Sequence, residues 1–358
     1  MKSKTYSCIK SFFYKIRKTI KTQLLNNYKI INIIIILVTF NFTSCSLVKH
    51  HSFTLRIDKE LRKIFTPNIP GVAIIATKDG KIVFRKAYGL ANVELNVKME
   101  PDMLFKIGSI SKQFTAVAIL MLEEQGKLSL EDPVIKYFPD FRSEYENVRI
   151  KHLLSHTSGI KNYNGIAEWK KQIKESISLQ ELVDIFINQP FNFEPGEKFK
   201  YCNSGYLLLA QIIETITAQN YQTFIIENII EPTGMESTIY ADDESIIPNL
   251  VTGYEANNDG LKKSEYMSMT HTYGSGDIIS NVDDLAKWKE SLISGTIISK
   301  ETLDKCFTPF ILNNGTKTNY CIGWFIEKFY EKIIFIMEVE FTDLLLIVCI
   351  LQKMICIS

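Results

Sequence analysis

The chain has 358 residues, enough for one large domain or two, and its 41 Lys and Arg against 40 Asp and Glu leave a net charge of +1. This balance predicts no nucleic-acid partner, and 46% hydrophobic with 23% charged residues excludes a disordered or collagen-like chain. The seven cysteines form no Cys-x-x-Cys pair, so we predict no metal site, no cofactor and no disulfide framework.

The N-terminal region predicts export. Residues 1–29 carry basic but no acidic side chains, and residues 30–42 form an apolar run. At about 1.5 Å per residue this run spans about 20 Å of helix, short of the roughly 30 Å hydrocarbon core of a bilayer. We therefore expect a cleaved signal peptide rather than a permanent transmembrane helix.

Phe42-Thr43-Ser44-Cys45 resembles a bacterial lipobox, which makes Cys45 the expected lipidation site. Two or more acyl chains there would hold the exported chain stably at the cell-envelope membrane. The alternative is a plain secretory signal in which Cys45 has no role. The expected division is a signal peptide over 1–45, a tether over 46–60, a folded domain over 61–335 and an aberrant tail over 336–358.

The folded domain begins with a predicted β-hairpin. Apolar residues 72–76 and 82–84 flank Lys78-Asp79-Gly80-Lys81, and Asp-Gly tolerates the positive φ of a tight turn. Two antiparallel strands therefore open the domain.

The middle of the chain is predicted to be helix-rich. Apolar residues recur at helical spacing over residues 111–125, and Gly126 is placed to end that helix. Residues 181–187 and 206–216 predict two more helices, with prolines and glycine between them.

Ser109-Ile110-Ser111-Lys112 is a candidate catalytic motif, because a serine and a lysine three residues apart share one face of a helix. A serine hydroxyl needs an adjacent base, and a lysine amine can serve if burial lowers its pKa. The same S-x-x-K pattern starts at Ser7, Ser46 and Ser158, but only Ser109 follows an apolar stretch and opens a long helix. The alternative is that Ser109 is a simple helix N-cap.

Tyr201-Cys202-Asn203 is the second candidate element. A phenol can act as a general base if a neighbouring ammonium stabilises the phenolate, and the Asn203 amide could hold a substrate by hydrogen bonds. The alternative is a packed ring followed by an N-cap.

With these motifs the sequence resembles the serine β-lactamase and D-alanyl-D-alanine carboxypeptidase superfamily, most closely its class-C-like branch of β-lactamase-related hydrolases. The resemblance runs from about Pro70 to Phe325. It also rests on the segments His152-Leu153-Leu154-Ser155-His156-Thr157-Ser158-Gly159-Ile160, Glu231-Pro232-Thr233-Gly234-Met235, Gly274-Ser275-Gly276-Asp277-Ile278-Ile279-Ser280 and Gly323-Trp324.

The resemblance implies an α/β (α+β) fold, an antiparallel sheet flanked by helices with a largely helical subdomain. It implies that Ser109 is acylated, that Lys112 and Tyr201 share proton transfer, and that Asn203 orients the substrate amide. The segment with His152 and His156 is structural in this family, so we expect it to serve loop packing.

The family also needs a His-x-Gly or Lys-Thr-Gly element beyond Gly323-Trp324, and none follows it here. The stretch 333–358 is also shorter than the terminal strands and helix that the family usually carries, so we expect those strands to be missing. Read with a two-base offset, permissible codons for Ile336-Met337-Glu338-Val339-Glu340-Phe341-Thr342-Asp343 spell His-Gly-Gly-Gly-Ile-Tyr-Gly-Phe. A frameshift near Ile336 is our hypothesis for the origin of the tail.

The expected function is that of an exported serine hydrolase acting on a β-lactam, a D-Ala peptide or a small ester, with activity reduced by the absent third element. One alternative is a non-catalytic envelope lipoprotein that binds cell-wall peptide. The other is a decayed product without function.

Overall fold

A computed structural model describes residues 32–38, 47–240, 242–257, 260–329, 332–341 and 344–351. Cys45, the expected lipidation site, lies outside these residues. The strands are β1 (Asn32–Val38), β2 (Val72–Lys78), β3 (Lys81–Tyr88), β4 (Leu90–Asn92), β5 (Val97–Lys98), β6 (Phe105–Lys106), β7 (Ile239–Tyr240), β8 (Tyr254–Asn257), β9 (Gly260–Lys263), β10 (Ile278–Ser280), β11 (Phe325–Phe329), β12 (Lys332–Phe341) and β13 (Leu344–Leu351).

The α-helices are α1 (Leu47–Ile64), α2 (Ser111–Glu124), α3 (Ile150–Leu154), α4 (Ala167–Gln172), α5 (Leu179–Ile187), α6 (Asn203–Thr217), α7 (Tyr221–Ile225), α8 (Val282–Ser294) and α9 (Lys300–Cys306). The three helices predicted from periodicity are thus observed as α2, α5 and α6. Within the described part of the chain, no helix has the length and apolarity needed to cross a membrane.

A six-stranded sheet in the order β11-β12-β13-β1-β2-β3 forms the largest layer. The β2–β3 hairpin is antiparallel as predicted, and Asp79 and Gly80 at its turn have φ of 50° and 74°. Positive φ at both central residues gives the turn the twist that suits a two-residue hairpin.

Strand β1 is a parallel element in a sheet that we expected to be antiparallel. It lies between β13 and β2 and runs parallel to both, from Ile33 beside Val72 to Val38 beside Thr77. These residues belong to the apolar run expected to be part of the signal peptide. A continuous β-branched run is typical of a central strand as well as of an export signal, which is why one segment fits both descriptions.

The tail also forms strands, although the terminal strands of the fold were expected to be missing. β12 and β13 pair as an antiparallel hairpin, with Ile334 opposite Leu351 and Phe341 opposite Leu344. The tail is rich in Ile, Val and Phe, which favour strands whatever their origin. The sheet is therefore completed by residues that carry no histidine–glycine element.

Residues 47–60, which were expected to be a tether, are helical within α1. Ile57, Leu61 and Phe65 recur every four residues and are buried, so this segment has one apolar face. Asp58 joins the helix to β3. Its carboxylate accepts a hydrogen bond from the Tyr88 hydroxyl at 2.6 Å and forms an ion pair with Lys86 at 2.9 Å. The folded domain therefore begins before residue 61.

The core surrounds α2, whose residues from Ser111 to Leu120 are buried without exception. Phe114 of α2 stacks on Trp288 of α8 with ring centroids 4.3 Å apart. Helix α6 also packs against α2. A helix that is buried on every side lies at the centre of its domain. The first turn of α2 is thereby fixed from all directions, and Ser109 precedes that turn.

Candidate active site

Ser109 lies in the short 3-10 turn Gly108–Ile110, directly before α2. Gly108 has a φ of 48°, a left-handed conformation in which a side chain is strained. The residue that caps α2 is Ile110, and no side chain caps either the turn or the helix. The N-cap interpretation of Ser109 is therefore wrong, and Ser109 is the part-exposed member of a turn whose other residues are buried.

Lys112 is fully buried and reaches back to Ser109. Its Nζ donates to Ser109 Oγ at 3.1 Å and to the Ser275 carbonyl oxygen at 2.7 Å. Burial lowers the pKa of Lys112 to about 7, because an ammonium loses its hydration in the core. A large fraction of this amine is therefore neutral at physiological pH and can accept a proton.

Tyr201 lies on the other side of the lysine. Lys112 Nζ is 5.0 Å from the centroid of the Tyr201 ring and 5.6 Å from that of Tyr206. Among the described residues, the buried Tyr201 hydroxyl makes no hydrogen bond. Burial raises the pKa of Tyr201. The nearby Ser109 hydroxyl lowers it by a smaller amount. The phenol is therefore protonated at neutral pH, which suits a proton donor better than a base.

Asn203 begins α6, with Cys202 as the N-cap residue, so the N-cap interpretation of Asn203 is also wrong. Its Nδ2 donates to Asn164 Oδ1 at 2.7 Å, and its backbone N–H donates to Asn162 Oδ1 at 3.2 Å. The buried Asn203 Oδ1 has no partner among the described residues. The sequence analysis missed both asparagines, although they lie two and four residues after the segment that ends at Ile160.

The segment that contains His152 and His156 is packed, as expected, and it also supports Tyr201. His156 Nδ1 accepts the backbone N–H of Cys202 at 3.1 Å, and its ring centroid is 4.1 Å from that of Tyr201. Burial and the adjacent Lys112 hold the pKa of His156 well below its usual value. This histidine is a neutral neighbour of the site at pH 7.

A turn at Gly274–Asp277 also contacts the buried amine of Lys112. It supplies the Ser275 carbonyl to Lys112, and its Gly274 carbonyl accepts from the Thr115 hydroxyl at 2.6 Å. Strand β10 then continues the turn and pairs with β6, directly before Ser109 in the chain. Two hydrogen bonds thus join α2 to this turn.

Strand β12 runs beside the turn that carries Ser109. β11 pairs with β12 only from Lys332 to Ile336, so within the described sheet residues 337–341 have β13 on one side and an open edge on the other. An open edge presents backbone N–H groups, which are the kind of donor that stabilises a developing oxyanion.

The described residues also line a cavity of about 370 Å³ between Lys151, Lys305, Phe310 and Cys321. None of the four candidate site residues contributes to its walls. We attach no chemistry to this cavity, because a site is defined by convergent reactive groups rather than by volume.

Comparisons with known proteins were made for the sequence and for the fold. A family model described as Beta-lactamase matches residues 57–332. A penicillin-binding protein of Bacillus subtilis (strain 168) is 33% identical over 277 residues, covering 72% of this chain and 60% of its own. The putative penicillin-binding protein PbpX of the same strain is 31% identical, with 72% and 62% covered.

A solved structure of the octameric penicillin-binding protein homologue from Pyrococcus abyssi superimposes with a TM-score of 0.66. It is 30% identical and covers 82% of this chain and 68% of its own. The chain spans about three fifths of the length of the curated relatives it matches, 60% and 62% for the two from Bacillus subtilis.

Proposed function

Because the chain belongs to the beta-lactamase family, we propose that it is a serine hydrolase that transfers an acyl group to Ser109 and then to water. The observation that carries this proposal is the 3.1 Å contact between Ser109 Oγ and the buried amine of Lys112. A nucleophile in contact with a base whose pKa lies near the working pH is the arrangement that covalent catalysis requires.

In the proposed acylation, Ser109 Oγ attacks the substrate carbonyl carbon while its proton passes to the neutral Nζ of Lys112. The tetrahedral oxyanion would accept a hydrogen bond from the backbone N–H of Ser109, and the open edge of β12 is the place for a second donor. The intermediate then collapses and expels an amine or alcohol, which takes a proton from the Tyr201 hydroxyl, and Lys112 reprotonates the phenolate. Water releases the acyl group by the same steps in reverse.

Asn203 would bind the substrate beside Ser109. Its unpaired, buried Oδ1 needs a donor, and an amide N–H next to the scissile carbonyl would supply one. This supports a β-lactam or a D-Ala peptide ahead of a simple ester, and the relatives named as penicillin-binding proteins support the same class.

A second candidate function is a non-catalytic envelope protein that binds cell-wall peptide. The observation that favours it is the absent histidine–glycine element, because the last histidine, His271, contacts the Glu175 carbonyl oxygen at 2.9 Å and is not part of the site. Loss of one oxyanion donor typically lowers a rate by about 10²- to 10³-fold. Such a chain would bind the ligand but turn it over slowly.

We also propose export and anchoring of the protein to the envelope membrane through a lipid on Cys45. The basic leader, the apolar run and the small residues before Cys45 support this proposal. Expression of the full chain and of Cys45→Ser with a radiolabelled fatty acid tests it. Label in the unchanged chain and none in the variant is the expected result, whereas equal labelling of both contradicts lipidation at Cys45.

Labelling with a fluorescent penicillin and with a fluorophosphonate tests the hydrolase proposal. We expect Ser109→Ala to abolish labelling because it removes the attacking oxygen. Ser158→Ala is the matched control, since Ser158 begins another S-x-x-K sequence but its hydroxyl accepts the Ile160 N–H within a buried loop. Labelling that survives in Ser109→Ala would exclude the proposed nucleophile. Reversible penicillin binding without covalent label would favour the second candidate function.

A further inference from the structure

The buried carboxyl of Asp277 has no place in the reaction described so far. The residue is 2% exposed, and its Oδ1 has no hydrogen-bond partner among the described residues. Its Oδ2 accepts the backbone N–H of Gly274 at 3.3 Å. A carboxyl group with one unpaired oxygen in a core is costly, so its presence calls for a reason.

The hydrogen bond from Gly274 closes the turn that faces Lys112. Ser275 lies inside this turn, and its carbonyl oxygen receives the 2.7 Å hydrogen bond from Lys112 Nζ. The same turn is held from below, because the backbone N–H groups of Ser275 and Gly276 both donate to the Thr272 carbonyl oxygen at 2.8 Å. The carboxyl of Asp277 therefore helps to fix the direction of the Ser275 carbonyl, which accepts the hydrogen bond from Lys112.

Asp277 is also the acid that faces Lys112. Around Lys112, Cys202 and Asp277 are the groups whose negative charge would favour the ammonium. Burial raises the pKa of the Cys202 thiol, so it is uncharged near pH 7. Among the groups that the structure describes, the carboxyl of Asp277 is thus the remaining anion for this lysine.

The other described titratable groups that face the pair are neutral near pH 7. Burial raises the pKa of each surrounding tyrosine and lowers that of the one histidine. These groups are Tyr163, Tyr221, Tyr240 and Tyr273 facing Asp277, and His156, Tyr201 and Tyr206 facing Lys112. Burial raises the pKa of Asp277 to about 7, the value to which it lowers that of Lys112.

We propose that Asp277 is a positioning residue for Lys112. Asp277 holds the Ser275 carbonyl against the amine, and the charges of Asp277 and Lys112 are coupled across the turn. The proposal rests on the proposed function in one respect, that Lys112 accepts the proton of Ser109. An ionised Asp277 raises the proton affinity of Lys112, and a protonated Asp277 leaves that affinity lower. The pair therefore determines the pH at which the nucleophile becomes active.

The first test does not depend on activity and uses the full chain. The infrared C=O stretch of a protonated, buried carboxyl is followed against pH in the unchanged protein and in Lys112→Met. Without the ammonium the carboxylate loses its stabilising charge, so we expect the midpoint to rise by about one pH unit. An unchanged midpoint overturns the proposal.

Two substitutions assign the infrared band. Asp277→Asn should abolish it while keeping an oxygen that accepts the Gly274 N–H, so the turn is retained. Asp284→Asn is the matched control, because Asp284 is equally buried but accepts from Ser237 and Thr238 and pairs with Lys287. It should leave both band and midpoint in place. A band that persists in Asp277→Asn assigns the titration to another carboxyl and also overturns the proposal.

The second test uses the pH profile of Ser109 labelling. Removing the carboxylate lowers the proton affinity of Lys112, so in Asp277→Asn the acidic limb should move to lower pH. Coupling is reciprocal, and this shift should match in size the one seen for the carboxyl in Lys112→Met. An acidic limb that stays in place contradicts the proposal. If the unchanged protein is not labelled at any pH, the hydrolase proposal fails, and the infrared titration still decides the role of Asp277.

Discussion

At the scale of single residues, the site depends on placing a lysine where its charge is unfavourable. Lys112 is buried among aromatic rings and joined to neutral oxygens of Ser109 and Ser275. Burial destabilises the protonated form of this amine. A large fraction of it is therefore neutral near pH 7 and can accept a proton. The same burial reduces the stability of the folded chain.

Lys112→Met should therefore stabilise the protein at pH 7 and abolish rapid labelling of Ser109. Between about pH 7 and the ordinary lysine value of 10.5, the unfolded chain binds the proton that folded Lys112 has lost, so the stability of the unchanged protein rises with pH. The fall in the pKa of Lys112 from 10.5 to about 7 corresponds to roughly 4 kcal/mol at pH 7, and two lost hydrogen bonds offset part of it. We expect a net gain of about 1–3 kcal/mol.

Urea unfolding at pH 7 and at pH 9.5 measures this effect, and the difference between variant and unchanged protein should narrow at the higher pH. Lys289→Met is a useful control, because Lys289 is also buried but donates to Thr77 and pairs with Glu290. Breaking that pair should destabilise the chain at both pH values. A Lys112→Met variant less stable than the unchanged protein at pH 7 would mean that burial of the lysine carries no such cost.

At the scale of elements, the sequence was sufficient to predict those strands and helices that depend on contacts between residues close in the chain. Asp79-Gly80 predicted the β2–β3 hairpin, and the apolar periodicity before Gly126 predicted α2 to within a residue. The approach of Tyr201 to Lys112 was anticipated only through the family motifs, because it depends on how α6 packs on α2. The contacts of Asn203 with Asn162 and Asn164 could not be anticipated, since no period or cap marks a hydrogen bond between two loops.

The parallel pairing of β1 was missed for a related reason. Strand partners far apart in the chain are chosen by which edges remain open, and a run of isoleucine is compatible with many partners. The helix α1 was missed because His50, His51 and several charged residues suggested a solvated tether. Its buried positions are spaced four apart and separated by polar residues, so the apolar face is narrow.

In the proposed mechanism strand β12 is the element that would supply a second oxyanion donor, because it runs beside the turn that carries Ser109. Replacing residues 336–343 by His-Gly-Gly-Gly-Ile-Tyr-Gly-Phe would put small residues at the start of its open edge, where a substrate oxyanion could reach the backbone N–H groups. We expect the labelling rate of Ser109 to rise by about 10²- to 10³-fold, the typical worth of one oxyanion donor.

Stopped-time labelling with the fluorescent penicillin measures this rate in the replaced chain. A second replacement with the same eight residues in shuffled order controls for composition. Equal rates in both replacements would show that the strand acts through flexibility rather than through a histidine–glycine element. A rate no higher than that of the unchanged chain would remove the support for a frameshift.

At the scale of the whole molecule, the sheet and the export signal compete for one segment. β1 supplies partners to β2 on one side and to β13 on the other, and it is the only described strand that joins the hairpin at the start of the domain to the strands of the tail. Removal of the leader before Cys45, as the proposed lipidation requires, would withdraw β1 from the middle of the sheet.

A chain that begins at Cys45 should therefore be much less stable than the full chain. Each lost ladder hydrogen bond contributes about 1 kcal/mol, and the total stability of a domain is about 5–15 kcal/mol, so the loss of pairing on both sides of β1 is comparable with the whole. The edges left on β2 and β13 would also invite association between molecules. Thermal unfolding and size-exclusion chromatography measure both effects, with a deletion of residues 1–29 as the control that keeps β1. If the chain from Cys45 unfolds at the same temperature as the full chain, β1 is dispensable, and removal of the signal peptide is compatible with a folded domain.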